Sequence, residues 1–185
     1  LYQCFIKGAE EGQLYKIHIL GCDGYYKDKE DPFAFKNQSR EQTCSILVDL
    51  NKIKIDDEEF VKSRDRNFDK PVSIYEMHAG TFKRKDDGSQ YSYSELADVL
   101  IPYLKEMKFT HVELMPITSY PNDKSWGYQC LGYYAIDSRW GDINDFAKLV
   151  EKLHKEGIGI ILDFVPVHFA VDPFGLEKFD GSCVY

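Results

Sequence analysis

Much that would fix a function class is missing from this chain. No apolar run approaches the roughly 18 residues of a membrane-spanning helix, and no Lys/Arg cluster forms the basic patch that a nucleic acid or an anionic membrane would need. Acidic residues outnumber basic ones 31 to 23, for a formal net charge of −8, which reads as a solvated surface with neither nucleic acid nor membrane as partner. Cysteine is scarce: Cys4, Cys22, Cys44, Cys130 and Cys183. An odd number without C-x-x-C spacing disfavours a disulfide framework or a zinc site and fits a reducing, cytoplasmic compartment. There is no phosphate loop, no H-E-x-x-H helix and no G-x-S-x-G elbow. The chain opens on Leu1, so the lack of a leader pattern carries no weight.

What is present divides near residue 70. Leu1–Ile6 and Leu14–Leu20 alternate around the turn signal Gly8–Gly12, which predicts a hairpin. Gly21–Gly24 is a second turn, Asp31–Phe35 an irregular extended stretch, and Thr43–Asp49 a strand. No helix is expected before residue 90. Residues 1–55 thus read as the end of an all-β sandwich whose earlier strands precede Leu1. The charged stretch 56–70 reads as a surface linker.

From 71 onward the pattern changes. Val72–His78 is a strand candidate. Ser92 and Glu95 form a capping box, followed by Leu96, Leu100, Tyr103, Leu104 and Met107 at helical spacing, with Pro102 as a kink. Thr110–Met115 is a second strand. Asn144–Lys155 is a second helix with Phe146, Leu149, Val150 and Leu153 on one face, closed by Gly157. Gly157–Phe169 begins as an apolar run typical of a parallel strand buried on both faces. Strand, helix, strand, helix, strand predicts an α/β fold with a parallel sheet. The segment Pro116–Gly141 is long for a βα loop and rich in aromatics, hence ordered and functional. Connectivity puts it on the same rim as Asp163 and His168.

Asp163 and His168 close the third strand, where α/β barrels keep their chemistry. Their types allow acid/base partners, metal ligands or a structural hydrogen-bond network. Trp126, Tyr128 and Gln129 offer ring faces and polar handles suited to sugars, and equally suit an aromatic mini-core that pins the loop. Alternation places Glu76 with His78, and His111 with Glu113, on one face of their strands. Such carboxylates either gather at a barrel axis or pair with arginines from elsewhere.

Four ordered motifs carry a resemblance: Ser73–Phe82 (SIYEMHAGTF), Phe109–Ile117 (FTHVELMPI), Ser125–Gln129 (SWGYQ) with Gly132–Ala135 (GYYA), and Ile161–Phe169 (ILDFVPVHF). Together they resemble the glycogen branching enzymes of the α-amylase superfamily, glycoside hydrolase family 13. The resemblance implies a (β/α)8 TIM barrel of which residues 71–185 hold the first three strands. It also implies that residues 1–55 end a family 48 carbohydrate-binding module. It makes His168 a contact to the sugar at the cleavage subsite, Asp163 an organiser of the centre, Tyr128 a stacking face for that sugar, and Trp126 and Gln129 pocket walls. The implied reaction is retaining transglycosylation, cutting an α-1,4 bond and re-attaching the segment through a 6-hydroxyl.

The resemblance implies no cofactor. Val167 stands where many α-amylases have a calcium-ligating Asn, so no metal is expected there. The family's nucleophile and general acid come from later strands, so no catalytic carboxylate is expected in this chain, which alone should be inert. Its expected partners are an α-glucan and the remainder of the same polypeptide. Rival readings are a maltooligosyltrehalose trehalohydrolase, against which Val167 speaks, and a non-catalytic glucan-binding protein.

Overall fold

The computed structural model describes residues 4–39, 42–64 and 69–183. Its N-terminal part holds four short strands, β1 (Leu14–Tyr15), β2 (Ile17–Leu20), β3 (Tyr26–Lys29) and β4 (Ser45–Ile46). β2 and β3 form an antiparallel hairpin, with Leu20 opposite Tyr26, and β1 pairs antiparallel with β4. The hairpin expected between residues 1–6 and 14–20 is not formed: residues 4–6 carry no strand, and 1–3 lie outside the described residues. The physical reason is competition for donors. Gly12 N donates to Leu47 O at 2.9 Å and Leu47 N to Gln13 O at 3.0 Å, so the chain beyond the Gly8–Gly12 turn is paired with the Thr43–Asp49 stretch instead. Asp31–Phe35 is irregular, with Ala34 N closing a turn onto Asp31 O at 3.1 Å.

A helix does precede residue 90. α1 (Glu58–Ser63) has Glu58 and Glu59 in its first turn and Lys62 in its last, the arrangement that suits the helix dipole. Six residues are too few to show a 3.6-residue period, but α1 is held from outside. The Phe60 ring stacks on His154 at 3.9 Å between centroids, and His154 Nδ1 lies 2.9 Å from Asp57 Oδ2.

The second part contains β5 (Ile74–Met77), α2 (Tyr93–Glu106), β6 (His111–Leu114), β7 (Thr118–Ser119), β8 (Gly132–Ile136), α3 (Ile143–Lys155) and β9 (Gly159–Leu162). β5, β6 and β9 form a parallel sheet in that order, while β7 and β8 pair antiparallel. Both long helices start on two-way caps. Ser92 N donates to Glu95 Oε2 at 2.8 Å while Glu95 N returns to Ser92 Oγ at 3.4 Å. Asp142 accepts from Asn144 N and Asp145 N at 2.9 and 3.1 Å. Such caps satisfy orphan amide donors of the first turn.

The core lies between the helices and one face of the sheet. Leu96, Leu100 and Leu104 of α2 and Leu149 and Leu153 of α3 bury against Met77, Val112 and Leu114. Burying each such side chain is worth about 1.5–3 kcal/mol. Met107, expected on the buried stripe of α2, is 53% exposed because the helix ends at Glu106 and the chain turns away through Lys108 at φ 61°. β9, expected to be buried on both faces, is not: Leu162 is 47% exposed. It is an edge strand of the described sheet: Leu162 stands in register with buried Leu114 on the face the helices cover, and is exposed because no further strand follows β9 in the described sheet. The other face carries Glu76 opposite Glu113, and His111 opposite Ile74. Across it, His111 lies over Gly159, where a Cβ would come 2.3 Å from the ring.

The two parts are tied together. Glu30 N donates to Phe174 O at 2.8 Å, Cys22 N to Asp180 O at 2.7 Å, and buried Lys29 gives its ammonium to Gly175 O and Glu177 O at 3.1 and 2.9 Å.

Candidate functional site

Because β5, β6 and β9 run parallel, their carboxyl ends share one rim. Asp163 is the first residue past β9 and stays in register there, its amide donating to Leu114 O at 3.0 Å. The aromatic segment between β7 and β8 reaches the same rim. Its path is set by a short turn over Asp123–Ser125, capped by Asn122, whose side chain accepts from Lys124 N at 3.0 Å. Trp126 and Gly127 then take positive φ, 55° and 93°. Gly127 is pressed so close to Pro116 that a Cβ would sit 2.5 Å from its carbonyl oxygen, a conformation and a contact that suit glycine alone. This reversal turns Tyr128 back, and its hydroxyl donates to Asp163 Oδ2 at 2.8 Å.

Further along, the two stretches run side by side. Tyr133 OH donates to Pro166 O at 3.1 Å, Cys130 bridges Phe169 in parallel, and Ala170 N donates to Cys130 O at 3.0 Å. His168 therefore stands between two tied points on the ribbon that carries Asp163, with its side chain exposed. Trp126 is 59% exposed, and Gln129 also faces solvent. Tyr128 and Asp163 are thus in direct contact, and Trp126, Gln129 and His168 lie on the segments that carry them.

The electrostatics follow the geometry. The hydrogen bond to Asp163, then burial, then the charges of Asp163, Glu76 and Glu113 push the Tyr128 hydroxyl up to about 12. Tyr128 is therefore a donor, never a phenolate, at physiological pH. Glu76 and Glu113 are paired across neighbouring strands, and both act on the Tyr128 hydroxyl. The alternation that would put His78 beside Glu76 stops one residue short, since β5 ends at Met77. The His78 ring packs edge-on against Trp140 instead, at 5.4 Å and 90°. Burial first, then Arg139, lowers its pKa, so it is a neutral packing group.

One anchor of the loop escaped sequence reasoning. Arg139, buried, pairs with buried Asp137, donates through Nε to Asp123 Oδ1 at 2.7 Å, and lies 4.1 Å over the Tyr120 ring. Tyr93 OH of α2 donates to Asp137 O at 3.0 Å. The only sequence signal was an Asp-x-Arg spacing, which is too common to single out. Among the described residues, no group of three or more His, Cys, Asp or Glu side chains could hold a metal ion.

A parallel βα sheet with polar groups and an aromatic loop on its carboxyl rim has the layout of an α/β-barrel segment, with that rim as the candidate site. The family described as "Alpha amylase, catalytic domain" matches residues 82–179. The chain belongs to the alpha-amylase family. It holds part of a (β/α)8 barrel. It is 44% identical over 185 residues to the 1,4-alpha-glucan branching enzyme GlgB of Fusobacterium nucleatum, covering 100% of this chain and 30% of that protein. It is 46% identical over 177 residues to GlgB of Bacillus caldolyticus, covering 95% and 27%. A putative alpha amylase from Salmonella typhimurium superposes with TM-score 0.71 at 26% identity, over 91% of this chain and 26% of that one. The chain thus spans less than a third of the length of these relatives.

Proposed function

We propose that this chain is the part of a 1,4-α-glucan branching enzyme that receives the glucan at the cleavage point. The observation that carries the reading is the 2.8 Å contact from Tyr128 OH to Asp163 Oδ2 at the carboxyl rim of the sheet. The branching-enzyme relatives supply the reaction class. Tyr128, held by Asp163, presents its ring to a glucose unit. His168, on the tied ribbon beside it, donates to a sugar hydroxyl. Trp126 and Gln129 are exposed walls, the first for a ring face and the second for hydroxyls. None of these groups is the nucleophile. Their work is to hold one sugar so that a carboxylate elsewhere in the enzyme attacks its anomeric carbon, and a retained glycosyl intermediate is passed to a 6-hydroxyl.

In the same reading, residues 1–55 close a β-sandwich of the family 48 type, 56–70 link it, and 71–185 open the catalytic barrel. The support is the strand-rich N-terminal part and its Asp31–Phe35 motif. A cytoplasmic location is supported by five free cysteines. The test is the full-length gene product incubated with amylose. A falling iodine stain together with new α-1,6 linkages, read from the short chains that debranching releases, supports the reading; short linear oligosaccharides or trehalose, without branches, overturn it.

A further inference from the structure

Where the N-terminal strands meet the β7–β8 hairpin, two polar side chains are shut in. Glu30, just after β3, is 3% exposed and Asn37 1%. Asn37 Nδ2 donates to Glu30 Oε2 at 3.2 Å. One oxygen on each side chain, Glu30 Oε1 and Asn37 Oδ1, is buried with no hydrogen-bond partner among the described residues. With Glu30 ionised both are pure acceptors, and two acceptors cannot satisfy each other. A single proton on Oε1, donated to Asn37 Oδ1, would resolve both at once. Oε2 would go on accepting from the amide, and the two bonds would close an acid–amide ring. Leaving such buried groups unpaired costs their full desolvation penalty, which is the pressure toward the protonated form.

This pair is wedged against the loop that carries Tyr128. A Cβ on Gly132, the first residue of β8, would come 2.5 Å from Asn37 Nδ2. Ser138 Oγ donates to Asn37 O at 3.4 Å, and the Phe33 ring stacks on Tyr134 at 5.8 Å. We propose that Glu30 and Asn37 form a neutral acid–amide pair that seats the β7–β8 hairpin, and through it Tyr128, and that ionising Glu30 unlatches this seat.

Among the described residues, the charged groups acting on Glu30 are Lys16, between β1 and β2, and Asp172, after β9. Its neighbours are committed elsewhere, Lys29 to the carbonyls of Gly175 and Glu177, and Asp31 to Tyr15 OH at 2.7 Å. Burial, with Asp172 adding and Lys16 opposing, pushes the Glu30 carboxyl up to about 7. A raised carboxyl stabilises its seat fully below the ordinary value of 4.5, and that contribution is lost as the pH rises through about 7.

The kinetic arm rests on the branching reading; the exchange arm does not. Glu30→Gln preserves a two-bond ring, amide to amide, and removes the titrating proton. In the full-length gene product, KM for amylose should rise several-fold from pH 6 to pH 8.5 in the wild type and stay flat in Glu30→Gln, with kcat following one profile in both. Amide exchange over residues 118–136, compared at the same pH, should match at pH 6 and be several-fold faster in the wild type at pH 8.5. The same KM profile in both proteins, exchange equal at both pH values, or exchange already accelerated in Glu30→Gln at pH 6, overturns the pair. If no branching is found at any pH, the functional reading fails and the exchange comparison still decides the latch.

Discussion

Tyr128 and Asp163, 35 residues apart in the chain, meet through one 2.8 Å hydrogen bond that joins the aromatic loop to the end of β9. Hydrogen bonds to a charged carboxylate contribute ~1.5–3 kcal/mol, and partial exposure puts this one at the lower end. Tyr128→Phe, which keeps the ring, should therefore lower stability by about 1–2 kcal/mol. On the proposed role, Tyr128→Ala should lower kcat/KM far more than it lowers Tm, since the ring that would face the sugar is removed. Branching kinetics beside thermal melts of the full-length enzyme check this. Equal losses in both would make Tyr128 a packing residue.

Much of this was legible because local rules and tertiary structure agree. The cap at Ser92, the Leu96–Leu100–Leu104 face and the three parallel strands each follow from short-range pattern, and the rim position of Asp163 follows from connectivity. The misses have physical causes. β3 reads Tyr-Lys-Asp-Lys, without apolar alternation, and forms because β2 needs a partner. α1 is shorter than two helical periods and is held by Phe60 on His154. His78 turned from the Glu76 face because alternation ends with the strand. The Arg139–Asp137 anchor and the Glu30–Asn37 pair depend on contacts that no sequence window contains.

The reversal at Gly127 makes a separable prediction. Gly127→Ala places a Cβ 2.5 Å from Pro116 O at φ 93°, whereas Gly88→Ala, at φ 81°, meets nothing within 4 Å. Both carry the left-handed cost of ~1–2 kcal/mol, but only the first must move the loop. Gly88→Ala should lower stability with kcat/KM unchanged. Gly127→Ala should also lower kcat/KM by about tenfold or more, the effect of slightly misplacing a binding group. Similar kinetics in the two variants would separate Tyr128 placement from this turn.

The α2 cap should show in acid. Hydrogen bonding from Lys85, then from the Ser92 backbone, pulls the exposed Glu95 carboxyl down to about 2. A depressed carboxyl contributes stability that is present above its ordinary value of 4.5 and lost as the pH falls through about 2. Glu95→Gln should therefore flatten the acid side of the Tm-against-pH curve, and added salt should shrink the difference. Ser92→Ala removes the cap acceptor itself and should cost about 1 kcal/mol at neutral pH. An acid slope unchanged in Glu95→Gln would assign that slope to other carboxylates.

The clamp behind the loop gives the largest expected effect. Asp137 is 1% exposed, its side chain is paired with Arg139, and Arg139 also reaches Asp123 and the Tyr120 ring. Removing one partner of a buried pair leaves a charge that water cannot reach, at a cost of ~3–5 kcal/mol. Arg139→Ala should thus lower Tm more than any substitution above and loosen residues 120–139 to proteolysis. Adding Asp137→Asn removes the stranded charge, so the double variant should recover part of the loss. The lost contact with Tyr120 is not restored, so recovery should stay incomplete. If Asp137→Asn worsens the Arg139→Ala protein, the damage lies in the arginine's packing over Tyr120 and its bond to Asp123, not in an unpaired carboxylate.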